Sequence, residues 1–82
     1  MSIEQKVRDN ILHNYLFTDD QSALSNDMSF LERGILDSTG MLELILFLEG
    51  AFGISVEDDE MVPENLDSVN NVVAYVSRKS GL

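Results

Sequence analysis

The sequence predicts an all-α fold, a four-helix bundle with three longer helices and one short helix. Apolar residues recur at intervals of three and four in three separate segments, and capping residues flank those segments. The last segment is rich in valine and would suit a strand by propensity alone, yet its valines keep helical spacing.

The first helix opens at Ser2 and Gln5, spaced as a capping box. Ile3, Val7, Ile11, Leu12, Tyr15 and Leu16 then form one buried stripe. From Thr18 to Ser29 the residues are polar and turn-prone, too many to continue a helix. Leu24, Met28, Phe30 and Leu31 are the apolar anchors that can pin this loop across a bundle. Gly34 breaks the chain, and Asp37 and Ser38 are both good N-cap residues for a second, strongly apolar helix from about Thr39 to Phe52. Gly53 supplies its C-cap. The acidic run Glu57 to Glu60 is read as a solvated surface at the start of a short helical turn limited by Pro63. The final helix starts at Asp67-Ser68, buries Val69, Val72, Val73 and Val76, and ends with Arg78-Lys79 against the negative end of its dipole before Gly81. With no repeat, low-complexity tract or internal boundary, residues 1–82 are expected to form one domain with a core over about 3–79.

Hydrophobic residues make up 44% of the 82 residues, ordinary for a globular domain. The charge is not ordinary: fifteen Asp and Glu against five Lys and Arg leave −10 at pH 7. Such a surface disfavours nucleic acid and anionic membranes and attracts basic protein surfaces. Without cysteine, the chain has no disulfide, thiolate metal site or cysteine nucleophile, so any thiol chemistry must come from an attached group. Met1-Ser2-Ile3-Glu4 has no basic stretch and apolar run of a signal peptide, and Leu44 to Leu48 is too short to span a bilayer, so a soluble cytoplasmic protein is expected, with a monomer as the default state.

On a helical wheel the second helix faces two ways. Met41, Leu44, Ile45, Leu48, Ala51 and Phe52 share the core face, with Phe47 at its margin. Leu42, Glu43, Leu46, Glu49 and Gly50 lie opposite. Two leucines at i, i+4 on an outward face are either covered by loops or a neighbouring helix, or form a small apolar docking spot framed by carboxylates. Ser38 falls nearer Leu42 than the core, so a group attached there would leave beside that face.

The stretch Gly34-Ile35-Leu36-Asp37-Ser38-Thr39-Gly40, followed by the apolar helix, Phe52-Gly53-Ile54, an acidic short-helix region and a valine-rich last helix, resembles the acyl carrier protein family over about Ile3 to Lys79. The resemblance implies that Ser38 is the attachment serine for 4′-phosphopantetheine and that Asp37 helps a phosphopantetheinyl transferase engage it. It also implies that Leu42, Glu43, Leu46 and Glu49 lie on the partner-binding helix. The implied protein is not itself an enzyme. It holds an acyl or aminoacyl group as a thioester, is loaded by an adenylating enzyme or acyltransferase, and delivers the group to a downstream accepting enzyme. Fatty-acid carriers usually have an acidic residue two after the serine and an acidic cluster near the helix end, where this chain has Gly40 and Gly50-Ala51. The Leu-Asp-Ser-x-Gly form of Leu36 to Gly40, and the long lead Glu64-Asn65-Leu66-Asp67-Ser68, are more similar to D-alanyl and other stand-alone carriers.

The rival reading is an acidic helical interaction module without a cofactor, in which Asp37-Ser38 only caps a helix, as Asp67-Ser68 is read to do. A hydrolytic enzyme is disfavoured, because His13 is the one histidine and no Ser-His-Asp set can be built around it. The acidic stretches lack EF-hand order, so no metal site is expected. Met41 is placed in the core and Met61 is a candidate to line a cargo cleft. The charge excess predicts that added salt screens self-repulsion. The melting temperature should therefore rise across a sodium chloride series, and a flat or falling series would contradict the prediction.

Overall fold

In the computed structural model, which describes residues 2–81, the first apolar stripe forms α1 (Ile3–Asn14). The hydroxyl of Ser2 accepts from the Gln5 N–H at 3.1 Å. Only this half of the expected capping box forms, because the Gln5 side chain turns forward and donates to Asp9 instead. Val7, Ile11 and Leu12 are fully buried, while Ile3, Tyr15 and Leu16 pack at the edge. Past the helix end, Tyr15 N–H donates to Ile11 O and Thr18 N–H reaches back to Leu12 O. This Thr18-to-Leu12 bond spans seven residues, one more than a Schellman closure, and the chain passes through a left-handed residue just before its donor. The residue there is Phe17, with φ 53°, at a conformation costing a residue with a Cβ about 1–2 kcal/mol.

Residues 15–37 cross the molecule without a long element, interrupted by a 3-10 turn at Gln21–Ala23 that Asp20 caps. Leu24 and Phe30 are buried as expected, and Met28 is half-buried. Leu31 is not a core anchor: it is 45% exposed, since the chain turns around Phe30 and leaves its neighbour on the surface. The fastening that holds this loop is polar and was not foreseen. Arg8 of α1 is buried and donates to the Gln21 side chain, to Gln21 O and to Asn26 Oδ1. Its planar fork satisfies three acceptors at once, as one lysine ammonium at that position could not without moving.

α2 (Ser38–Phe52) begins one residue earlier than expected, because Asp37 takes the N-cap and leaves Ser38 inside the first turn. Gly53 ends it at φ 65°, where its N–H bonds Glu49 O. Leu44, Ile45 and Leu48 are buried and Met41, Phe47 and Phe52 half-buried. Ala51 is exposed, contrary to its place on the wheel, because it lines an open hollow between α1 and the end of α2.

The acidic run makes a 3-10 turn at Asp58–Glu60, with the Glu60 carboxylate accepting from the Glu57 N–H at 3.0 Å. Pro63 does not merely limit that turn. It opens α3 (Pro63–Leu66) at the first helical position, where its missing N–H has no partner to lose. α4 (Val69–Ser80) buries Val69, Val72, Tyr75 and Val76, with Val73 only half-buried, and closes at Gly81 with φ 75°. Burying each such side chain contributes about 1.5–3 kcal/mol relative to leaving it in water. α4 is the central helix, packing on α1, α2 and α3. Three longer helices and one short one result, with no strand among the described residues, as the periodicity predicts. Met1 and Leu82, the ends of the expected 1–82 unit, lie outside the described residues. No helix among those described is long and apolar enough to cross a membrane.

The segment carrying α3 is clasped to α4 through Glu60. Its Oε1 accepts from the Tyr75 hydroxyl at 3.1 Å and from Lys79 Nζ at 3.0 Å. The Glu57 N–H, and then Lys79, hold the Glu60 carboxyl below its ordinary value, while burial and then Glu60 push Tyr75 from 10.0 up to about 12.

Two predictions follow from these fastenings. Replacing Arg8 with Lys leaves at least one of these part-buried, charge-assisted hydrogen bonds unmade, and should lower stability in urea by about 1–3 kcal/mol and speed hydrogen exchange over residues 18–29. The clasp fixes the sign of two pH effects. Glu60 has a depressed folded-state pKa, so its contribution is present above the ordinary carboxylate range and is lost as pH falls through the lower folded value. Tyr75 has a raised one, so its contribution is intact below pH 10 and is lost as pH rises towards about 12. Melting curves should therefore show Glu60→Gln flattening the acid limb and Tyr75→Phe flattening the alkaline limb.

Candidate functional site

The candidate site is the start of α2. Leu36 is buried and fixes the approach of the chain, and Asp37, with extended backbone, turns its carboxylate onto the helix that follows. Asp37 Oδ1 accepts from the Gly40 N–H at 2.8 Å, and Asp37 O accepts from the Met41 N–H. Gly40 is buried under this arrangement. A Cβ there would lie 3.1 Å from Leu36 Cδ2 and 3.4 Å from the capping carboxylate, so leucine, aspartate and glycine at these three positions form one packed unit.

With Asp37 as the cap, Ser38 is exposed, and its hydroxyl has no hydrogen-bond partner among the described residues. The N–H groups of Ser38 and Thr39 also donate to no protein acceptor there, as expected for the first turn of a helix. An anion on the Ser38 oxygen would meet these free donors and the positive end of the α2 dipole, so the residues present fit a phosphodiester.

Beside Ser38 runs an open cleft of about 270 Å³, walled by Met41, Leu42 and Ile45 of α2 and by Met61, Val62 and Leu66 across from them. Met61, the cleft candidate from sequence, lines it. So does Leu31, which the sequence offers only as an apolar anchor for the loop. The α3 wall was not foreseen, because it depends on where the chain turns after Pro63.

The four residues expected on the partner-binding side are not equivalent. Leu42 and Leu46 are 57% and 68% exposed, so neither loop nor helix covers them. Glu43 is exposed and accepts from the Tyr15 hydroxyl at 3.1 Å; burial, followed by this carboxylate, raises the tyrosine pKa. Glu49 is half-buried and accepts from the Val56 N–H at 2.9 Å, which ties down the turn after α2.

The second Asp-Ser behaves differently. Ser68 is buried and caps α4, accepting from the Asn71 N–H at 3.1 Å. Asp67 accepts from the Ser29 hydroxyl and from the Leu31 N–H at 3.0 Å. His13 is on the surface, 2.8 Å from Asp19. Among the described residues no group of three His, Asp or Glu is placed to hold a metal ion.

No protein-family model matches the chain. Individual relatives do. It is 44% identical over 54 residues to the D-alanyl carrier protein of Lactococcus lactis subsp. cremoris (strain MG1363), covering 66% of this chain and 68% of the relative. It is 37% identical over 76 residues to the D-alanyl carrier protein of Streptococcus uberis, 93% of this chain and 92% of that one. To the acyl carrier protein of Akkermansia muciniphila it is 38% identical over 80 residues, 98% of this chain and 95% of the relative. Likeness of this extent, on a helical bundle with an exposed serine opening its second helix, makes the chain a carrier protein of the acyl carrier protein family.

Proposed function

We propose that Ser38 carries 4′-phosphopantetheine and that the protein shuttles an acyl or aminoacyl group between partner enzymes, without catalysis of its own. One observation carries the reading: Ser38 is the exposed, unbonded hydroxyl in the first turn of α2, at the mouth of an apolar cleft. In the modification a phosphopantetheinyl transferase uses coenzyme A. The Ser38 oxygen forms a bond to the pantetheine phosphorus, 3′,5′-ADP leaves, and the serine proton passes to a base on the transferase.

The chain's own residues have defined tasks in this reading. Asp37 holds the first turn closed through Gly40, which keeps the Ser38 oxygen at a fixed place for the transferase. The free N–H groups of Ser38 and Thr39 stabilise negative charge on that oxygen's substituent. The bound arm supplies the thiol that a chain without cysteine lacks, and holds its cargo as a thioester. Leu42 and Leu46 offer the partner an apolar centre and Glu43 an anionic edge, the pattern of a transient interface. Glu49, tied to Val56, serves the fold first.

An amino acid is the favoured cargo. Two of the three relatives described are named D-alanyl carrier proteins, and Leu36 to Gly40 has their Leu-Asp-Ser-x-Gly form. The partners are then the transferase, an adenylating enzyme that loads the thiol, or an acyltransferase in the acyl case, and a downstream enzyme that accepts the group. Residues 1–82 act as one carrier domain.

Incubating the protein and its Ser38→Ala variant with a broad-specificity phosphopantetheinyl transferase, coenzyme A and magnesium, then taking intact masses, tests the reading. The parent should gain one phosphopantetheine group and the variant none. Gain by both moves the site elsewhere, with Ser68 the next suspect. Gain by neither, from folded protein with a free Ser38 and two different transferases, leaves the acidic interaction module as the better description.

A further inference from the structure

Phe17 combines two features that each act against a stable, soluble fold. It holds a left-handed position two residues past the C-cap of α1, where glycine or asparagine relieves the strain, and its side chain is 82% exposed. The core neither covers it nor gains from it. A large apolar side chain held in strain on the surface points to contact with something outside the chain.

Its surroundings say what kind of partner fits. Asp19 and Asp20 follow within three residues, both exposed, and the Asp19 side chain is 96% accessible. Tyr15, two residues earlier, bonds Glu43 on the outward side of α2 and borders the same hollow as Asp37, Thr39 and Gly40. The end of α1, two residues before Phe17, thus borders the flank of the first turn of α2, which an enzyme reaching Ser38 approaches, and Phe17 leaves that end in an anionic setting. A second copy of the chain is a poor occupant, since each carries −10. An anionic membrane is disfavoured for the same reason.

We propose that Phe17 is an anchor for the transferase that modifies Ser38, seated in an apolar cup with a Lys- and Arg-rich rim on that enzyme. The inference rests on the carrier reading above and extends the interface from α2 to the end of α1. The anchor contributes equally to the encounter complex and to the transition state, so its loss raises KM and leaves kcat unchanged.

The test measures transferase kinetics with the full apo chain as the varied substrate, alongside melting temperatures. Phe17→Asn should melt a few degrees higher than the parent, because asparagine tolerates the left-handed backbone. The same variant should lose about tenfold in kcat/KM through KM. Phe17→Leu, which keeps an apolar side chain, should recover most of that loss while still bearing the strain. A kcat/KM for Phe17→Asn within about twofold of the parent overturns the inference, and so does a lower melting temperature, which would make Phe17 structural. If the parent itself is never modified, the carrier reading fails; if it is modified and Phe17→Asn matches it, only the anchor fails.

Discussion

Phe30 is the point on which the connection between α1 and α2 hangs. Its side chain is fully buried, its N–H donates to Asp67 O at 2.9 Å, and its carbonyl accepts from both Ile35 and Leu36. One residue thus joins the start of α4 to the turn that delivers Asp37 and Ser38. Asp67 adds side-chain bonds on either side of Phe30, to Ser29 and Leu31, while Asn26 O receives the Asn70 N–H. Fixing so long a loop costs about 1–2 kcal/mol of backbone entropy per residue. A few anchors buried against α1 and α4 offset this where no regular element could. The position of the serine follows from the core and not from the loop that carries it.

The charge excess has a matching internal logic. Four of the five cationic side chains are engaged within the chain: Arg8 with the loop, Lys6 over the Phe52 ring at 5.7 Å, Arg78 with Asn65, and Lys79 with Glu60. The cations hold the perimeter of the bundle together, and the acidic residues are left to dominate what a partner meets. Apart from those of buried Arg8, such contacts individually contribute little. The fifth, Arg33, is exposed in the turn that leads to α2, whose outward side carries Leu42, Glu43 and Leu46.

The parts of this structure legible in the sequence are those set by local rules. Periodicity placed the stripes of α1, α2 and α4, and Gly53 and Gly81 marked two ends because an unbranched left-handed cap has a residue-type signature. Ala51 shows where such rules stop: the wheel gives its face correctly, but whether anything covers that face is a tertiary matter. Arg8 was illegible for a related reason, since a buried arginine looks like a surface one until the loop folds over it. Phe17 was illegible in another way. A left-handed position is normally announced by glycine, and a phenylalanine there conceals the turn. Pro63 was given one of two meanings, stop or start, and position within the turn chose the other.

Asp-Ser occurs twice, and the two copies show why a motif needs its register. At residues 37 and 38 the aspartate is the N-cap and the serine falls one position later, at the first helical residue. At 67 and 68 the serine is the N-cap and the helix begins at Val69. A one-residue shift in where the helix starts decides which side chain closes the first turn. The closing side chain must point at the backbone, so Ser68 is buried and bonded, whereas Ser38 has its hydroxyl free. What sets the register differs as well: Leu36 and Gly40 pack around the Asp37 carboxylate in one case, and Asp67 is held by Ser29 and Leu31 in the other. The same dipeptide therefore yields one exposed serine outside the cap and one buried serine that is the cap, and the difference comes from neighbours that compete for the aspartate.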